Sequence, residues 1–202
     1  MLSCHSDPFT AFCRDIQIPA CEVHVYRGPN AFVFILQEGA MLPEWWDTEN
    51  TYYLSGVIPG VRKRAADADV LWRNHFTLDF DVRKELEKEL GSPISKGTFD
   101  SSVEAILSAL DQKGELDKAR YVVNSGNGIH VHYFGEATKV VKEEWVAGMK
   151  SVFEYFAGIC PIPPDFGCGN AGRIMRLPGS WNVKQKPKLP VDFIVWNHKA
   201  TF

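Results

Sequence analysis

With 202 residues, 45% of them hydrophobic and 23% charged, the chain has enough apolar material for one large domain or two fused subdomains, which excludes a chain disordered throughout. A net charge of -3 and a pI near 6.1 speak against a basic coat that wraps nucleic acid without specificity, but leave room for an enzyme that grips DNA locally. The longest apolar runs fall far short of the roughly 20 residues that span a bilayer, and the first eight residues lack a signal peptide's basic start and apolar core, so a cytoplasmic location without membrane contact is expected.

The N-terminal third reads as strands and loops. Glu22–Arg27 alternates apolar and polar positions, Gly28-Pro29-Asn30 turns the chain, and Ala31–Leu36 is an apolar run, which together predict a hairpin. Tyr52–Ile58 is a further strand candidate, and Arg62–Asp69 a charged loop. From Asn74 to Val82, Phe76, Leu78, Phe80 and Val82 share one face, while His75, Thr77, Asp79 and Asp81 share the other. Period-2 alternation makes this a strand with one face for a core and one for a cleft. A helix is expected over Arg83–Leu90, stopped by Gly91-Ser92-Pro93. A second is expected from Ser101, with Glu104 completing a capping box, to Gln112. Strand Arg120–Val123, loop Asn124–Gly128 and strand Ile129–Phe134 follow. A long helix fits Lys142–Ile159, ended by Pro161–Pro164, and Arg173–Leu177 and Val191–Trp196 read as late strands. The order predicts an α+β sheet with helices packed on one side.

Asp79 and Asp81 lie two apart on one strand, so their carboxylates project to the same side. Two acids so placed repel and raise each other's pKa unless a cation separates them. Hard oxygen ligands at this spacing suit Mg²⁺ or Mn²⁺, and two such ions stabilise the attacking and leaving oxygens in phosphoryl transfer. The competing reading is the solvated face of an edge strand. Asp67-Ala68-Asp69 repeats the spacing without apolar alternation and reads as a charged loop. Asp165 and Asp192 are both candidates for a third acid.

Asn124-Ser125-Gly126-Asn127-Gly128-Ile129-His130 joins two strands. Its glycines suit a hairpin, and its exposed N–H groups suit phosphate. His130-Val131-His132 puts two histidines on one strand face, where they could hold one metal, with Tyr155 as a nucleophile in the manner of rolling-circle nucleases. In the run from Arg173 to Lys184, Arg176 and Lys184 flank a Pro-Gly turn and can converge on an anion. On a straight strand Arg173 and Arg176 would face opposite sides, one toward nucleotide and one toward Asp165 or the template. Lys186 and Lys188 extend the charge toward DNA phosphate.

Three of these elements, in this order, resemble the archaeo-eukaryotic primase (AEP) superfamily, especially the primase-polymerases of phages and plasmids. They are Leu78-Asp79-Phe80-Asp81; the Ser-Gly-x-Gly-x-His loop from Ser125 to His130; and Asp165 followed eight residues later by the Arg-x-x-Arg-x-Pro-Gly-x-x-Asn-x-Lys run from Arg173 to Lys184. The resemblance spans about residues 72–184. It implies a single catalytic domain, with an RRM-like catalytic sheet at about 71–202 fused to a small N-terminal α/β subdomain at about 1–70. It implies that Asp79, Asp81 and Asp165 hold two Mg²⁺ or Mn²⁺ ions, and that His130 and Arg176 bind a nucleoside triphosphate with Ser125, Arg173 and Lys184 in support. It further implies primed or single-stranded DNA as template, NTPs or dNTPs as substrates, and a replicative helicase as a possible partner. The sequence departs from the family pattern at Gly128, where many members carry a small hydroxyl residue two before the histidine. No zinc is expected. Cys4, His5, Cys13, Cys21 and His24, or Cys160 with Cys168, lack the paired spacing of structural zinc and read as buried or incidental thiols. Against a nucleotidyltransferase stand two other readings: the nuclease built on His130 and His132, and a non-catalytic DNA-binding module.

Overall fold

The computed structural model describes residues 7–37, 48–184, 186–197 and 200. Cys4 and His5 lie outside the described residues. The first element is a helix the sequence reading lacks, α1 (Pro8–Asp15). Asp7 caps it by accepting from the N–H groups of Phe9 and Thr10, and Pro8 occupies the first turn, where no N–H is needed. Eight residues give too few turns for a readable period.

Strands β1 (Glu22–Arg27), β2 (Ala31–Ile35) and β3 (Thr51–Val57) form one antiparallel sheet, with β1 in the middle. Then β4 (Trp72–Phe80) leads through Asp81 into α2 (Val82–Leu90). Val82 therefore opens the helix instead of ending the strand. Helix α3 runs Lys96–Gln112, so the start expected at Ser101 is corrected: Ser95 is the cap, its side chain accepting from Thr98 N–H. Gly97 in the first turn had hidden that start. Strands β5 (Tyr121–Asn124) and β6 (Ile129–Lys139), helix α4 (Lys142–Ile159), and the short strands β7 (Met175–Arg176), β8 (Trp181–Asn182), β9 (Leu189–Pro190) and β10 (Asp192–Trp196) complete the chain.

The second sheet has the order β10-β5-β6-β4, all antiparallel. One face buries Leu78, Phe80, Val122, Ile129, Val131 and Tyr133 against α2, α3 and α4. Each such fully buried side chain contributes about 1.5–3 kcal/mol, so this face fixes the register of β4 against β6. The opposite face meets α1 and the first sheet. There Phe12 of α1 stands edge-on to Tyr53, Tyr121 and His132, with centroids 5.2–5.4 Å away. Three helices thus lie on one side, as expected, and α1 fills the space between the sheets. β7 pairs with β3 in the first sheet, with Tyr52 opposite Arg176, so the arginine run is carried by the edge of the N-terminal strands.

A candidate active site at the end of β4

Cross-strand register sets the centre of the site. Asp79 of β4 is opposite His130 of β6, and Thr77 is opposite His132. Of β4's polar face, Asp79 lines the cleft that holds the other candidate residues, while His75 and Thr77 are buried and line a separate cavity with Tyr53 and Arg73. His132 is fully buried and its Nδ1 pairs with Thr77 Oγ1 at 2.9 Å. His130 Nε2 stops 3.6 Å from Asp79 Oδ1, and its buried Nδ1 has no hydrogen-bond partner among the described residues.

Asp79, Asp81, Ser125, Asn127, His130, Arg173, Arg176 and Lys184, with Tyr52, line one cleft of about 180 Å³. Asp81 also lines an adjoining cleft with Glu85, Pro163, Pro164 and Asp165. The loop carrying Asp165 is tied to the strand end, its backbone N–H donating to the Asp79 carbonyl at 2.7 Å. Asp192, the other candidate for a third acid, sits on β10 at the far edge of the sheet, opposite Asn124.

The electrostatics follow from crowding acids in a half-closed space. Burial, reinforced by Asp165, pushes Asp79 up to about 6. Burial and then Asp79 raise Asp81. Burial, with Arg176 and Arg173 nearby, pushes His130 down to about 3, so its imidazole is neutral. Carboxylates crowded into a half-buried space, with charges that only a cation or the nearby arginines can balance, make a donor set fitted to divalent metal.

Backbone contacts hold the loops in place. Arg83 N–H donates to the Asn127 carbonyl at 2.8 Å, and Ser125 N–H to the Gly128 carbonyl at 2.9 Å. A Cβ on Gly128 would lie 1.8 Å from the Phe80 carbonyl oxygen, so only glycine fits while the loop stays this close to β4. Asn182, fully buried, donates to the Ser125 carbonyl at 3.1 Å and accepts from Lys184 N–H at 3.2 Å, bridging the glycine loop to the lysine turn. Arg176 donates to the Asn50 side chain and lies over the Tyr52 ring, 5.2 Å from its centroid. Arg173 Nη2 is 3.6 Å from Asp165 Oδ2.

Three participants were invisible in the sequence. Asn50 gathers Arg176 and Val183 N–H on one oxygen. Asp67, read as part of a charged loop, accepts from Asn170 Nδ2 and Gly172 N–H, each at 2.7 Å, just before Arg173. Cys168 puts its sulfur 3.6 Å from Asp79 Oδ2 and 3.5 Å from Asp165 Oδ2. Asp79, Asp165 and Cys168 each offer a ligand atom within 4.8 Å of the others.

The two-histidine nuclease reading is corrected at its nucleophile. The His130 and His132 rings do share one side of the sheet, 6.0 Å apart, with Thr77 holding His132 Nδ1 and His132 Nε2 without a partner among the described residues. Tyr155 extends from α4 on the helix side of the sheet and donates to Glu115 at 3.0 Å.

No protein-family model matches the chain, and no curated protein matches it in sequence. Among solved structures, the AEP domain of the cyanophage S-2L primase-polymerase aligns over 94% of this chain and 88% of that one, with a TM-score of 0.50 and 15% identity. The chain has the AEP fold. The catalytic domain of the primase RepB′, solved in complex with initiator DNA, aligns over 96% of this chain and 88% of that one, with a TM-score of 0.45 and 13% identity. No helix among the described residues is long and apolar enough to cross a membrane.

Proposed function

We propose that the chain is a template-directed nucleotidyltransferase, joining nucleoside triphosphates to a 3′-hydroxyl on a DNA template. The observation that carries this reading is the convergence of acids and cations on one cleft: Asp79 and Asp81 face His130, Arg173, Arg176 and Lys184, with Asp165 bonded to the same strand end. Asp79, Asp81 and Asp165 would hold Mg²⁺ or Mn²⁺. Bound there, such ions supply charge neutralisation at the attacking and departing oxygens.

The rest falls to the protein's own side chains. Arg176 and Lys184 offer positive charge to a triphosphate, and neutral His130 offers a nitrogen that can donate to a phosphate oxygen. Arg176 is held before substrate arrives by Asn50 and the Tyr52 ring, so less ordering is needed on binding. Arg173 balances Asp165 and borders the triphosphate cleft. Ser125 is fixed by its backbone and lines the cleft.

The test is incorporation on single-stranded DNA, with and without a primer, comparing NTPs with dNTPs under Mg²⁺ and Mn²⁺. Replacing Asp79 and Asp81 together by Ala is expected to abolish incorporation with an unchanged circular dichroism spectrum. Full activity in that variant would overturn the reading. A wild-type chain that binds DNA but neither Mn²⁺ nor nucleotide would instead be a non-catalytic module.

A further inference from the structure

The third donor at the acid cluster is a sulfur. Cys168 is 6% exposed and lies on the short turn that Asp165 caps, so its position is set by the same loop that presents the carboxylate. Its Sγ is 3.6 Å from one Asp79 oxygen and 3.5 Å from one Asp165 oxygen. A tetrahedral zinc ion with Zn–S of about 2.3 Å and Zn–O of about 2.0–2.2 Å sets its sulfur and oxygen ligands about 3.5–3.7 Å apart. The observed separations match that edge length. An independent feature points to a ligand at the same place. His130 is 4% exposed, its Nε2 faces Asp79 Oδ1 at 3.6 Å without closing a hydrogen bond, and its buried Nδ1 has no partner among the described residues, a costly way to bury an imidazole.

We infer that Cys168 makes this cluster a site for a thiophilic divalent ion of the Zn²⁺ or Co²⁺ class, with its sulfur ligating beside Asp79 and Asp165. The inference rests on the metal-binding reading of those acids and adds a selectivity to it. Mg²⁺ takes oxygen ligands and leaves the sulfur aside. Zn²⁺ or Co²⁺ takes the sulfur as thiolate, the thiol proton passing to solvent, and so competes with the hard ion for Asp79 and Asp165.

Cobalt titration of the full chain tests this. The Co²⁺ complex is expected to show a sulfur-to-cobalt charge-transfer band in the near ultraviolet. Cys168→Ser and Asp165→Asn are each expected to lose the band, with far-ultraviolet circular dichroism confirming the fold. Cys168→Ser is also expected to weaken Zn²⁺ binding by at least the roughly 10- to 100-fold that removing even an outer partner of a metal ligand costs. Mn²⁺ binding, followed in parallel by electron paramagnetic resonance, separates the two claims. Mn²⁺ binding with no charge-transfer band from bound Co²⁺ overturns the role of Cys168 and leaves the acids as a metal site. A band that survives Cys168→Ser comes from another cysteine and also overturns it. Binding of neither ion overturns both.

Discussion

At the inner end of the polar face that β4 and β6 share, Thr77 and His132 are bonded to each other and sealed against Phe12. At the outer end, Asp79 and His130 occupy the equivalent cross-strand register with their polar atoms 3.6 Å apart at the wall of a cleft. The residue types are alike and the strands are the same. What separates the two ends is whether the pair closes on itself and whether it meets a cleft. The inner pair is joined by a hydrogen bond, although His132 Nε2 has no partner among the described residues, whereas the outer pair stays open and lines the cleft.

The two histidines break or sharpen that comparison most directly. His130→Ala is expected to cut incorporation by about 10²–10³-fold, the scale for losing a preorganised electrostatic group, at a smaller cost in stability. His132→Ala opens a cavity beside Phe12 and leaves Thr77 without its partner, so a loss of about 2–4 kcal/mol is expected in urea denaturation. Parallel incorporation assays and urea melts check both. If His132→Ala spares stability and removes activity, the two ends are not distinct.

A steric change at the junction of the two ends comes next. Gly128→Ala and Gly128→Ser should each cost about 1–3 kcal/mol, the usual range for overpacking, because any Cβ there meets the Phe80 carbonyl. Equal losses for Ala and Ser would show that the Cβ is responsible and that the missing hydroxyl is not. Both variants should also weaken Mn²⁺ binding, since Phe80 lies between Asp79 and Asp81. A stable Gly128→Ser variant would mean that the loop can retreat from β4.

The pH dependence tests the acid end, with Asp79 carrying the largest shift among its ligands. In the folded, metal-free chain the pKa of Asp79 is pushed up from 3.8 to about 6. The group therefore contributes stability below its unfolded pKa, and that contribution is lost as pH rises through about 6. His130 has the opposite slope: held near 3 against 6.5, it withdraws stability as pH falls from 6.5. The two offset each other in a melting experiment between their ordinary and shifted values. Metal affinity does not mix them. Binding requires the carboxylates, so Mn²⁺ affinity should fall at least about tenfold per pH unit below about pH 6, as the proton on Asp79 competes with the ion and Asp81, raised as well, adds to the slope. A flat affinity through that range would remove Asp79 from the ligand set.

The sequence was most informative where one residue type had one physical use. The alternation from Phe76 to Phe80 located β4 and the side of the sheet that packs on helices. The spacing of Asp79 and Asp81 was legible because strand period 2 leaves no choice of face, although Asp81 proved to be a helix N-cap whose side chain caps nothing. Long-range partners were not legible. Asp67 and Gly172 are 105 positions apart, and only the folded chain shows that the loop before Arg173 rests on that aspartate. Cys168 carried no spacing signal because its partners are Asp79, 89 positions away, and Asp165 across a short turn. The nucleophile proposed for the histidine pair failed for the same reason. Periodicity says that His130 and His132 share a face, but not that Tyr155 lies across the sheet from both, bonded to Glu115.

The smallest effect tests the comparison from outside the polar face. Tyr155 lies on α4, across the sheet from both histidines, and its hydroxyl donates to the buried Glu115, which also receives Lys118 Nζ at 2.9 Å. Tyr155→Phe removes one hydrogen bond to a charged group that keeps its second partner. The expected cost is about 0.5–1.5 kcal/mol, with incorporation unchanged. If that hydroxyl were instead a nucleophile, the variant would lose all DNA processing, and the wild type would carry a covalent DNA adduct visible as a mobility shift under denaturing electrophoresis. Either result would require the helix-packed face to take part in chemistry, and roles assigned by which side of the β4–β6 pair a residue occupies would fail.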